Sequence, residues 1–294
     1  MQNAETVLGI LRDRGRRGLP CDELYRQLFN PQLYLLAYGR IYANKGAMTP
    51  GASGETADGM SLAKIGRIIE AMRSERYRFR PVRRVHIPKK NGKLRPLGLP
   101  SWADKLVGEV ARLLLEAYYE PRFSARSHGF RPGRGCHTAL REVASTWTGT
   151  TWFVEGDVSG CFGSFDHETM VRVLSGKIRD NRFLRLVRNM LKAGYLEDWR
   201  WNATLSGVPK AGSYPPSCPT FTCTSWTSSP RQSSSPNTPG GRPGNQTLPT
   251  AGCSSLPRRP ASAVTPPLHG TCGSSCAACH MPTRVIPGTG GCAM

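Results

Sequence analysis

After Gly212 the sequence contains no Lys, no Asp and no Glu, although the residues before it are densely charged. Without carboxylates or amines, that stretch cannot build a carboxylate cation site or a Lys- or Glu-based proton relay. The chain also lacks any window approaching the ~18–20 apolar residues of a membrane-spanning helix, so no membrane is expected. Its opening, MQNAETVLGILRDRGRRGL, breaks its only apolar run with charges, unlike a secretory signal. A cytoplasmic protein is the expectation, with Cys21, Cys136 and Cys161 as free thiols.

What is present divides sharply in two. Only Arg231, Arg242, Arg258, Arg259 and Arg284 of the 40 Lys+Arg lie after Gly212, so 35 basic and all 20 acidic residues precede it, a net of +15. The same later stretch holds seven of the ten Cys and 14 of the 24 Pro. A balance of +15 suits a polyanionic partner such as nucleic acid, or simply a soluble basic surface.

Periodicity predicts helices near Ala4–Arg12 and Cys21–Leu28 and over NPQLYLLAYGRIYANKG, then a loop over Met48–Gly59. Ser61 caps a helix with Leu62, Ile65, Ile68, Ile69 and Met72 on one face. Val82, Val85 and Ile87 suggest one strand and Leu94, Leu97 and Leu99 another, joined by Asn91-Gly92, a pair suited to positive φ. Leu106, Val110, Leu113 and Leu114 mark the inner face of a longer helix, and another begins at His137. Trp152–Val154 reads as a strand breaking at Gly156, and Asp166 caps a helix bearing Met170, Leu174 and Ile178. DNRFLRLVRNMLKAGYL reads as a helix with Phe183, Leu184, Val187, Met190 and Leu191 inward and Arg182, Arg185, Arg188 and Lys192 outward.

Several of these residues carry two readings. Arg83, Arg84, Lys89, Lys90, Lys93 and Arg95 on the hairpin form either a solvated edge that deters aggregation or a finger that grips phosphate. The Gly-rich loop with Arg131 and Arg134 stands before a helix start, where phosphate can bind. Asp157, at a strand end, is either a turn residue or a ligand for a hard divalent cation.

IPKKNGKLRPLGLP, SHGFRPGRGCHTAL, FVEGDVSGCF and NRFLRLVRNMLKAGYLEDW occur in this order. Residues 1–212 resemble the reverse transcriptase/maturase encoded by bacterial group II introns. The resemblance implies an α/β (α+β) fold: the fingers and partial palm of a right-hand polymerase, mostly helical with a basic β-hairpin. It implies RNA-directed DNA synthesis with Mg²⁺, two cations about 3.5–4 Å apart clamping the attacking and leaving oxygens. The partners implied are group II intron RNA, an RNA template with DNA primer, and dNTP. Asp157 is then the first catalytic carboxylate, and the Val158 carbonyl helps hold a metal. Phe162 is the gate against a ribose 2′-OH, and Lys93 and Arg95 contact the incoming triphosphate. Arg131 and Arg134 lie near template and nucleotide. Ser159 and Gly163 depart from the family pattern beside that site.

The resemblance stops at Pro209. Relatives continue Pro-Gln-Gly-Gly and then SPILSNIYL, whereas this chain reads PKAGSYPPSCPTFTC. Joining each codon's third base to the next codon's first two lets permitted codons from Pro209 onward spell QGGVVSPILSNIYLHKLDEF. Some letters leave no choice, since Trp226-Thr227 must give Asp. From Pro282 to Met294 permitted codons can in the same way spell DPRDPGYRRLRY, which resembles the run that precedes the family's Tyr-Ala-Asp-Asp box. Residues 213–294 are therefore expected to be the gene read out of frame: a disordered tail. Cys276-Ala277-Ala278-Cys279-His280 has c-type haem spacing, and Cys272 adds a candidate zinc ligand, but no haem or zinc is expected there. The expected layout is N-terminal extension helices and loop over 1–60, fingers over 61–150, the start of the palm over 151–212 and the tail over 213–294. The enzyme is expected to be truncated and inactive, or a non-catalytic RNA-binding remnant. Bound haem or zinc in the tail would instead mark an electron-transfer or metal-binding role.

Overall fold

The structure is a computed structural model, described over residues 2–44, 46–88, 92–150, 152–156, 166–204, 206 and 283–287. Three helices open it: α1 (Ala4–Arg16), α2 (Leu24–Gln27) and α3 (Pro31–Tyr42). Asn3 and Asn30 cap α1 and α3 by accepting from Glu5 N and Gln32 N, and Pro31 opens α3 where a missing N–H costs nothing. Helix α4 (Leu62–Arg73) starts as expected at Ser61, whose Oγ accepts from Lys64 N at 3.3 Å. Ile65, Ile68, Ile69 and Met72 are buried, but Leu62, expected among them, is 70% exposed. It is the first residue of α4, where the chain has only just left the loop.

The core centres on α5 (Trp102–Tyr119), which buries Leu106, Val110, Leu113 and Leu114 as its periodicity demands. Full burial of one such side chain contributes about 1.5–3 kcal/mol. Helix α1 lies directly against α5: a Cβ on Gly15 would come within 2.1 Å of the Tyr118 carbonyl oxygen. Only glycine permits that approach.

Helix α7 (His167–Ser175) is capped by Asp166, which accepts from Thr169 N at 2.7 Å; that hydrogen bonding holds the Asp166 carboxyl below its ordinary value. Helix α8 (Asn181–Leu191) buries Phe183, Leu184, Val187 and Leu191 and is capped by Asp180. Expected to continue to Leu196, α8 instead ends at Leu191. Gly194, at φ +77°, turns the chain into strand β4 (Tyr195–Glu197), followed by β5 (Arg200–Asn202). A side chain at Gly194 would meet Asn202 O and Trp201 Nε1, each at 2.6 Å.

Strands β1 (Val82–Pro88) and β2 (Leu94–Leu99) form the expected antiparallel hairpin, with Gly92 at φ +76° in its turn. Val82 and Arg83 pair in parallel with Tyr195 and Leu196, giving a sheet of order β2-β1-β4-β5. The fold is thus mixed α/β and mostly helical, with a basic hairpin.

After Gly212 the described residues are Thr283–Pro287, which form strand β6, antiparallel to β3 (Trp152–Gly156), pairing Trp152 with Pro287 and Gly156 with Thr283. The physical reason is an available edge. A strand with unpaired N–H and C=O groups templates any β-prone segment that reaches it, and Thr-Arg-Val-Ile is one.

Candidate nucleic-acid interface

The basic residues foreseen on the hairpin do not share one environment. Register puts Arg83 and Arg95 on one face of the sheet and Arg84 on the other. Arg83 is exposed and donates to Pro50 O at 3.2 Å. Arg84 is half-buried, its guanidinium 3.4 Å from the Tyr195 ring centroid and its Nη1 3.4 Å from Glu197 Oε2. Glu197 also lies 3.5 Å from His86 Nε2, so Arg84 sits inside a local network while Arg83 and Arg95 face outward. Lys93 lies beside the hairpin turn; Lys89 and Lys90 lie outside the described residues.

Arg131 and Arg134 are turned inward on their own loop. The Arg131 side chain is 6% exposed. It reaches both Glu120 carboxylate oxygens, donates to Ser124 O and Ser127 O at 2.8 Å, and stacks 5.2 Å from the Phe123 ring centroid. Arg134 donates to Ala125 O. These contacts fix the Gly-rich loop ahead of α6 (Cys136–Thr146).

A second clamp on that loop was not foreseen. His128 places Nδ1 2.9 Å from Thr138 Oγ1 and Nε2 2.8 Å from Glu142 Oε2, joining loop to helix. Thr138 Oγ1 also donates to Gly135 O and accepts from Gly135 N. The one available signal was a His ten residues before a Thr on the first turn of a helix, too common a pattern to decide anything.

Behind the hairpin, Asp104 is buried at the start of α5. It accepts from Tyr77 Oη and Ser101 Oγ, both at 2.7 Å, and from Arg80 N at 3.1 Å. Burial raises its carboxyl above the ordinary value, and these hydrogen bonds oppose that rise. Lys105 donates to Thr49 O at 2.9 Å, and burial lowers its ammonium. Both residues tie the loop over 43–61 and the approach to β1 onto α5.

Asp157, Val158 and Phe162 lie outside the described residues; β3, which leads into them, is in place. Among the described residues no three His, Cys, Asp or Glu side chains come together as a cation site. The donor chemistry is short for the Mg²⁺ pair. Asp157 and one carbonyl cannot neutralise two divalent ions, and Asp198 is the last carboxylate side chain of the sequence. No described helix is long and apolar enough to cross a membrane.

Residues 87–211 match the family model "Reverse transcriptase (RNA-dependent DNA polymerase)". The group II intron-encoded protein LtrA of Lactococcus lactis subsp. cremoris is 48% identical over 190 residues, 64% of this chain and 32% of its own length. Its N-terminal part is similar to the group II intron-encoded reverse transcriptases. A 91 kDa protein in the cob intron of Schizosaccharomyces pombe is 45% identical over 214 residues, covering 70% of this chain and 26% of that protein. Among solved structures, a partial Cas6-RT-Cas1–Cas2 complex aligns with a TM-score of 0.45 at 16% identity, over 67% of this chain and 33% of that one. The chain spans about a third of the Lactococcus relative's length.

Proposed function

We propose that residues 1–212 are the nucleic-acid-gripping part of a group II intron-type reverse transcriptase, with extension helices and loop over 1–60, fingers over 61–150 and the start of the palm over 151–212. Its ligands are group II intron RNA, an RNA template with its DNA primer, and dNTP, in the cytoplasm. The observation that carries this reading is the 48% identity to an intron-encoded protein, over a region shared with the reverse transcriptase match. The outward Arg83 and Arg95 support it, because a polyanion needs cations that are not already buried in the fold.

In the assembled enzyme Asp157 and Val158 would hold Mg²⁺, which would stabilise charge on the reacting phosphate. Lys93 and Arg95 would meet the triphosphate and Phe162 the sugar. Arg131 and Arg134 act one step removed, by holding the loop that leads into α6. The remaining carboxylates must come from outside these 294 residues, so the chain alone binds nucleic acid and does not polymerise. Residues 213–294 read as out-of-frame sequence and add no haem or zinc chemistry.

Two assays on the full chain test this. RNA binding should weaken with salt, and Arg83→Ala with Arg95→Ala should reduce the log–log slope by about one for each phosphate no longer neutralised. Mg²⁺-dependent dNTP incorporation on an RNA template that disappears in Asp157→Ala would overturn the claim of inactivity. Binding that ignores salt would overturn the interface.

A further inference from the structure

The β4–β5 hairpin contains a residue that its own backbone disfavours. Glu197 pairs with Arg200, leaving a loop of two residues, Asp198 and Trp199. Both have positive φ, +50° and +61°, as a tight hairpin turn of this twist requires. Asp tolerates that region, because its short polar side chain can hydrogen-bond locally. Trp does not: a bulky side chain at positive φ is an outlier, and Gly or Asn would serve the turn better. Packing offers no compensation, because Trp199 is 97% exposed. An indole held in a strained turn, and left exposed by the described residues, calls for an explanation outside the fold.

Its surroundings supply one. Trp201, two residues on, is 59% exposed. Cross-strand register puts Trp201, Leu196 and Arg83 on the same face of the sheet, while Arg200, paired with Glu197, lies on the other face beside the turn. Glu197 projects from the opposite face, where Arg84 engages it. The tip and its adjoining face therefore combine exposed indoles with cations. Aromatic faces stack unpaired bases and guanidinium groups meet the phosphates between them. A protein partner would suit this surface less well, since a tryptophan hot spot needs a surrounding ring of contacts that excludes water.

We propose that Trp199 is a nucleobase-stacking residue for single-stranded RNA, with Arg83, on the face it adjoins, positioned for a flanking phosphate. The inference rests on the nucleic-acid reading above and adds a site to it. The turn accepts an unfavourable residue because that residue is a ligand contact. Replacing it should then improve the fold and impair binding.

The test uses the full chain and fluorescence anisotropy with two labelled probes, an oligoadenylate of about 12 nucleotides and an RNA duplex of similar length. Trp199→Gly should raise Tm by about 2 °C, because strain is relieved, and weaken single-strand binding about tenfold, the loss of one stacked base. Trp199→Phe should keep affinity within about threefold, as a smaller aromatic face would. Duplex binding should be unchanged, since its bases are already stacked.

A glycine variant that binds the single strand as tightly as the parent overturns the proposal. So does a fall in Tm, which would show that the indole packs on its own chain. Loss of self-association with unchanged RNA affinity overturns it in favour of a protein contact. If Arg83→Ala with Arg95→Ala weakens binding while Trp199→Gly does not, only the stacking site fails. If the parent binds neither probe at any salt, the nucleic-acid reading fails with it.

Discussion

Removing the Asp180 carboxylate should loosen the tie between the two ends of the described fold. Asp180 is 5% exposed. Its Oδ1 accepts from Arg182 N at 3.0 Å and Phe183 N at 3.2 Å, capping α8, while Oδ2 accepts from Tyr25 N at 2.8 Å, 155 residues away in sequence. The two oxygens do separable jobs, and two substitutions separate them. Asp180→Ala loses the cap, about 1 kcal/mol, and leaves the buried Tyr25 amide without an acceptor, about 1–3 kcal/mol. The sum is a destabilisation of about 2–4 kcal/mol. Asp180→Asn keeps Oδ1 and the cap but turns an NH₂ toward the Tyr25 N–H, so only the second cost of about 1–3 kcal/mol applies. Urea unfolding followed by far-UV circular dichroism gives both values. The reasoning is refuted if Asn costs as much as Ala, or if Ala costs less than about 0.5 kcal/mol, the range of an ordinary surface substitution.

Two further outcomes concern other buried groups. Gly15→Ala should destabilise by about 1–3 kcal/mol, because its methyl would overlap the Tyr118 carbonyl; an unchanged thermal midpoint would mean that α1 and α5 move apart freely. Asp104 titrates above its unfolded value, so the folded chain holds its proton to higher pH than the unfolded chain. Its contribution is therefore full below the unfolded carboxylate pKa of about 3.9 and is lost as pH rises through the folded value. Stability measured against pH should show this decline in the parent and lack it in Asp104→Asn. An identical profile in both would remove Asp104 as its source.

Where local signals and burial agreed, the elements could be read directly. Ser61 and Asp166 each cap the helix that follows, because a short side-chain oxygen competes for the first free N–H groups wherever the helix later packs. Apolar spacing likewise marked the buried faces of α5 and α8. The family was legible for a different reason, since four ordered motifs specify it regardless of packing. The end of α8 was not legible. The apolar pattern runs on through Tyr195 and Leu196, and only pairing with β1 and β5 makes those residues a strand.

The sequence by itself determined the resemblance of residues 1–212 to the group II intron reverse transcriptases, their positive charge and the lack of any carboxylate side chain after Asp198. These are properties of composition and order, and folding does not alter them. Only the tertiary structure decided which cations face outward. Arg83, Arg84 and Arg131 are alike in sequence, but register, the Tyr195 ring and the Glu120 carboxylate give them different environments. It alone showed that Trp199 stands exposed in a left-handed turn, because that conformation is imposed by the pairing of Glu197 with Arg200 and not by any preference of tryptophan.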